Sequence, residues 1–328
     1  MTCSLLRQRR WNHLDNPALG FMRGFSESIV HMEGKNPNLL PDLRRGSIIF
    51  VGSDYSGQHD LARYESFSFL FADLERCGVW EAQRRRLRQR FLPDGRRLSY
   101  KNLNDRRRKL ALQPFLEAAN AIPGLLVTIL YDKAIQSVFY PRDQLDIDDP
   151  ELSECYEWGS AAFEKLMRAI HLVSFFLAGL SRPNQDVLWI TDEDDIIPNE
   201  ERLRKVVRLF VNVASHYLKH NLRHARISTT KSDTGSRDIE DLIAVAELAA
   251  GALSQLLTDY QRTSNLPFST LTLPPPDCLP RKAKAVLNWF ADHTQPLKRM
   301  VYLIDEEPES FRMRLTYLRL HGLRDFAA

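Results

Sequence analysis

Four cysteines in 328 residues, none within CxxC spacing of another, leave no disulfide framework and no structural zinc site to be read from this chain. Cys3, Cys77, Cys155 and Cys278 fit a reducing compartment, so a cytoplasmic location is expected. GxxxxGK(S/T), GxGxxG and GxSxG are also missing, which removes support for a phosphate-cradling loop or a nucleophile elbow. The opening MTCSLLRQRRWNHLD has no apolar core of signal-peptide length. FEKLMRAIHLVSFFLAGL is the most apolar helical stretch. It carries Glu164, Lys165, Arg168 and His171, so it reads as a buried helix rather than a membrane span.

What is there is an ordinary globular composition, 44% hydrophobic and 27% charged, on a chain long enough for one large α/β domain with additions or for two domains. The net charge of +3 conceals a segregation. Arg84 to Lys109 holds twelve basic residues against Asp94 and Asp105, leaving 33 basic and 40 acidic residues elsewhere. A concentrated basic segment on an otherwise acidic protein fits a polyanion contact, and it equally fits a solvated arginine-rich face. His216, His220 and His224 have the spacing of metal ligands along a helix. Their neighbours Lys219, Arg223 and Arg226 would repel a cation, and histidines at a helix C-terminus are favoured without one.

SIIFVGSDYSG (residues 47–57) runs four large apolar residues into Asp54 and a Ser-Gly turn, the pattern of a buried strand with a carboxylate at its end. An Asx turn that simply closes the strand gives the same pattern. VLWITDEDD repeats it, with Asp192 after the strand and Glu193, Asp194 and Asp195 behind. Functional groups of parallel α/β sheets gather at the carboxyl ends of adjacent strands. Two carboxylates there repel unless a cation lies between them, and a divalent ion with oxygen ligands is the usual solution. A third acidic group opens the helix predicted over 238–259. Asp241 lies on its shoulder, while Glu240, Ala244, Glu247, Gly251 and Ser254 share the face opposite Leu242, Val245, Ala249 and Leu253. So much alanine and glycine suggests a face approached closely, although a solvated stripe with acids favouring the helix dipole is the other reading.

The remaining elements follow from periodicity. They include strands at 47–53 and at ESFSFLFADL, a third strand with its extension through GLLVTILYDKAIQSVFY, and a helix through NDRRRKLALQPFLEAAN capped by Asn104, with Leu110, Leu112, Phe115 and Leu116 as its apolar side. An exposed acidic loop at PRDQLDIDDPELSE and a helix over about 160–179 come next, then helix–strand–helix alternation. Trp189 and Phe175 are predicted core. The expected organisation is an N-terminal arm at 1–46, a main domain at 47–265, a Pro-rich linker at 266–280 and a small C-terminal α+β appendage, a helix and a hairpin, at 281–328.

This order of elements, with acids after the first and fourth strands and on the last helix, resembles the ribonuclease H-like fold, a mixed sheet flanked by helices. More narrowly it resembles the bacterial domain of unknown function 3800 family. The motifs are Asp54-Tyr55-Ser56-Gly57, with Tyr where relatives carry Glu; SYKNLNDRRR with Lys101; Asp132-Lys133; and Asp238-Ile239-Glu240-Asp241-Leu242-Ile243-Ala244. They span about residues 47–260. The resemblance implies a Mg²⁺- or Mn²⁺-dependent nuclease of bacterial defence or a mobile element. Asp54 would bridge metals, with Asp192, Asp194 and Asp241 also ligating. Glu247 is the reserve for Asp241, which is preferred because it lies in the first turn of its helix. Lys101, Arg106, Arg107 and Arg108 would hold nucleic acid. The alternative is a catalytically inactive relative that binds nucleic acid or a protein. A protein partner or homo-oligomer is compatible with either reading, and no membrane is expected.

Overall fold

The computed structural model describes residues 9–139, 154–192, 194–233, 235–261, 270–273, 279–307 and 310–320. The central strand, β1 (Ile48–Ser56), is apolar on both faces, and a strand of that kind must be covered on both sides. Its partners are β2 (Tyr64–Asp73), antiparallel, and β4 (Asp186–Thr191), parallel. β3 (Gly124–Asp132) runs antiparallel to β2, and β5 (His224–Thr229) parallel to β4. The described sheet continues with β6 (Thr270–Leu273), β7 (Lys298–Glu307) and β8 (Ser310–Leu320), in the order β5-β4-β1-β2-β3-β7-β8-β6. β1, β3, β4, β5 and β7 therefore point the same way, and their carboxyl ends share one edge.

Alternate residues of β1 feed two cores. Ile49 and Val51 face α1 (Phe21–Lys35), α4 (Ser160–Leu180) and α5 (Glu200–Tyr217). Phe50 faces α2 (Gly78–Phe91), α3 (Arg106–Ala119), α6 (Asp238–Gln261) and α7 (Arg281–Phe290). Trp189 and Phe175 are buried, as the sequence predicted. Among the described residues one helix, α6, is long and apolar enough to cross a bilayer, and most of that stretch is buried within the protein.

Several boundaries differ from the sequence expectations, each for a packing reason. The stretch read as an N-terminal arm is integral to one core. Trp11, Leu14, Met22, Phe25 and Ile29 are buried, and Trp11 Nε1 donates to Ser26 Oγ at 2.9 Å. The segment read as an appendage also joins the main body, with β7 extending the sheet from β3 and α7 packing in the core of α6. Helix α2 was not foreseen, although Trp80, Arg84 and Leu87 recur at helical spacing and are its buried residues. Asp105, not Asn104, caps α3, accepting from the Arg107 and Arg108 amides at 3.1 and 3.0 Å. Leu110 is exposed while Ala111, Leu112 and Phe115 turn inward. The three histidines do not share a helix, because α5 ends at Tyr217; His220 meets Ser181 and His224 meets Asp186. The acidic loop apart from Glu154, and the Pro-rich linker apart from β6 and residues 279–280, lie outside the described residues.

Gly179 on α4 marks how tightly the N-terminal segment is seated. A Cβ there would lie 2.2 Å from the Trp11 ring, whose indole is held by Ser26. Gly179→Ala should cost about 1–3 kcal/mol of unfolding free energy through overpacking, measured by urea denaturation. An unchanged midpoint would mean that Trp11 does not pack there.

Candidate active site

The site forms where α6 passes the end of β1. A Cβ at Gly52 would lie 3.4 Å from Ile243 Cγ1, and one at Gly57 would lie 3.0 Å from Ser254 Oγ. Eleven residues of helix rise about 16.5 Å at ~1.5 Å each, and five residues of extended chain span about the same at ~3.3 Å each. Helix and strand therefore advance side by side, and interpolation places Glu247 level with Asp54. Alternation along β1 turns Asp54, like Phe50 and Gly52, toward α6. The small residues on this face of α6 are needed because β1 and the Tyr100 ring approach it. A Cβ at Gly251 would lie 2.4 Å from that ring. The Tyr100 amide donates to Glu247 Oε1 at 3.0 Å and holds the carboxylate at this level.

β4 supplies the second acid. Ser53 is in register with Thr191, so Asp54 and Asp192 leave neighbouring strands at equivalent positions, about 4.8 Å apart in the pairing direction. Thr230 Oγ1 donates to Asp192 Oδ1 at 3.0 Å, and Arg97 Nη2 lies 4.0 Å from the same oxygen. Arg97 Nε also pairs with Glu240 Oε1 at 3.0 Å.

Electrostatics binds these groups into one cluster. Burial, reinforced by the negative charges of Glu247, Asp192 and Asp194, holds the Asp54 carboxyl well above its ordinary range. Burial raises Glu247 to about 7, with Asp192 adding to the effect and the Tyr100 amide and Arg97 opposing it. Burial also raises Asp194, against the pull of Lys165.

The remaining predicted ligands are placed differently. Asp241 is not in the cluster. It is buried, Arg88 Nε and Nη2 each donate to it at 2.5 Å, and Arg84 Nη1 donates at 3.0 Å. Arg84 also pairs with Asp238. The first turn of α6 lies level with the middle of β1, too deep for a carboxylate to reach the strand ends. Asp194 belongs to the neighbourhood but both its oxygens are engaged, Oδ2 by Lys165 at 2.6 Å and Oδ1 by the Ile196 amide at 3.0 Å.

Among the proposed nucleic-acid contacts, Lys101 and Arg106 are exposed. Arg107 pairs with Asp94 at 2.7 Å, and Arg108 Nε donates to the Arg97 carbonyl at 2.7 Å. Asp132 is buried and pairs with Arg63 at 2.6 Å, while the Lys133 ammonium donates to the His59 carbonyl. Sequence reasoning missed Lys165 and Arg97. A lysine inside an otherwise apolar helix was the available signal for Lys165, whereas nothing in the basic run distinguishes Arg97 from its neighbours.

All the acids in the cluster are hard oxygen donors, the class that Mg²⁺ and Mn²⁺ prefer, and their mutual repulsion is what a divalent ion would relieve. Among the described residues, no three His, Cys, Asp or Glu side chains form a group already set to hold a metal. No protein-family model, curated protein or solved structure matches this chain.

The raised carboxyls set a pH dependence. A carboxyl whose folded pKa exceeds its unfolded value stabilises the protein while protonated, and that stability is lost as pH rises through the folded value. For Glu247 the window runs from about 4.5 to about 7. The metal-free protein should therefore melt at lower temperature at pH 8 than at pH 5.5, and Glu247→Gln should flatten the difference. A melting temperature that rises over this interval in the wild type, or a slope unchanged in the variant, would contradict the assignment.

Proposed function

We propose that the chain is a Mg²⁺- or Mn²⁺-dependent nuclease of ribonuclease H-like fold that hydrolyses phosphodiester bonds of nucleic acid. The observation that carries this reading is that Asp54 and Asp192 leave adjacent strand ends in register, with Glu247 on the helix beside them, and that burial and the charges of Glu247 and Asp192 raise the Asp54 carboxyl. The strand order β5-β4-β1-β2-β3, with β2 alone antiparallel among these five, supports it as the arrangement the ribonuclease H-like reading implies. Asp54, Asp192 and Glu247 would hold the ion. Bound there, it would lower the pKa of a water and offset charge on the leaving oxygen. Tyr100 and Thr230 orient two of the carboxylates through the bonds they donate. Arg97, beside Asp192 and next in space to the exposed basic loop, would receive a backbone phosphate, with Lys101 and Arg106 extending the contact. The buried free thiol Cys77 fits the expected reducing cytoplasm.

A second reading, a catalytically inactive module that binds nucleic acid, is favoured by Tyr55 in a position where relatives carry an acid and by Lys165 already occupying Asp194. Cleavage of single- and double-stranded RNA and DNA with Mn²⁺ separates the two. On the nuclease reading, Asp54→Asn and Glu247→Gln each lower the rate by about 100-fold or more, the scale of losing one transition-state electrostatic contact. Asp241→Asn, if it folds, keeps the activity. Binding should weaken with salt, and Lys101→Ala with Arg106→Ala should reduce the log–log slope by about 1.8. Salt-dependent binding with no cleavage of any of the four substrates would select the binding module.

A further inference from the structure

Lys165 enters the carboxylate cluster from the layer opposite α6. It belongs to α4, whose neighbours Phe163, Leu166 and Ala169 are buried in the core of Ile49 and Val51. Its side chain is only 7% exposed, an unusual place for an ammonium unless it is paired. The chain crosses the Tyr55 ring, with Nζ 5.0 Å from the ring centroid, and ends 2.6 Å from Asp194 Oδ2 and 2.7 Å from Asp195 Oδ1. Its charge is also felt at Asp54.

Tyr55 explains the route. The tyrosine packs edge-on against Phe67, and its hydroxyl donates to Ser53 Oγ at 3.1 Å, so the ring is fixed and its face is open to a cation. A glutamate at position 55 would instead bring a further carboxylate to this end of the sheet. The tyrosine removes that charge and guides a lysine to the acid that remains.

Resting on the metal reading above, we propose that Lys165 is the resident cation of the site. It takes the place of a second divalent ion at Asp194, so the chain holds one Mg²⁺ or Mn²⁺ at Asp54, Asp192 and Glu247 rather than two. With the Lys165 ammonium on Oδ2 and the Ile196 amide on Oδ1, Asp194 has no oxygen turned toward a metal without a cation or donor already on it. An ion brought to Oδ2 would also meet the ammonium as a like charge at short range.

The test counts Mn²⁺ bound per full-length chain, by isothermal titration and by the loss of the free-ion paramagnetic resonance signal. Wild type should bind one ion. Lys165→Met frees Asp194 Oδ2 and should bind two, while Lys165→Arg, which keeps the cation, should bind one. Asp194→Asn removes an acid that is not a ligand. It should still bind one ion, more weakly for the negative charge lost near Asp54 but with unchanged stoichiometry. This variant keeps the test open if Lys165→Met does not fold. Two ions in wild type, a single ion in folded Lys165→Met, or loss of the ion in Asp194→Asn would each overturn the role of Lys165 and leave the metal site standing. A wild type that binds no Mn²⁺ at millimolar concentration would overturn the metal reading itself.

Discussion

The position of α6 along β1 decides what the rest of the molecule can do. Helix and strand run in the same direction, and eleven residues of one match five of the other. A slip by a single helical turn would carry Glu247 past Asp54 by about 5.4 Å. Two features fix the register. Gly57 lets the helix close on the strand, since a Cβ there would fall 3.0 Å from Ser254 Oγ of α6. At the buried end of the helix, Asp241 is clamped by Arg84 and Arg88 from α2. Breaking such a pair from one side leaves an uncompensated buried charge, typically a loss of about 3–5 kcal/mol. The clamp thus ties the arginine-rich helix to the helix that carries Glu247.

The basic segment therefore has two roles by position. Its first arginines, Arg84 and Arg88, are interior groups that brace α6. The later residues ride on the loop and on α3, where Arg96 and Arg107 share Asp94 and Arg97 leans toward Asp192. The excess charge seen in the sequence overstates the surface available to a polyanion. Of what remains exposed, Lys101 directly follows Tyr100, whose amide holds Glu247, and Arg106 opens α3.

The sequence made the strands legible because each carries an apolar run ended by a turn, and it made Asp54 and Asp192 legible because both close such runs. It also marked α6, down to the small residues on one face. The level of α6 was not legible. The helix starts beside the middle of β1 rather than at its end, which brings Glu247 rather than Asp241 level with Asp54. Reading a local sequence gives the face of a helix but not its height on a sheet, which depends on partners such as Arg84 that lie 157 residues away. For the same reason the termini looked like additions. Trp11 and β7 become core only when their long-range partners, Gly179 and β3, are known.

On the proposed reading, Asp54, Asp192 and Glu247 form one divalent-ion site at the end of β1. Anomalous diffraction from crystals soaked in Mn²⁺, recorded at the manganese edge, tests it most directly. Such a site requires a peak within bonding distance of oxygens from all three residues and none at Asp241. A peak at Asp241, or full occupancy elsewhere with nothing between Asp54 and Glu247, would contradict it.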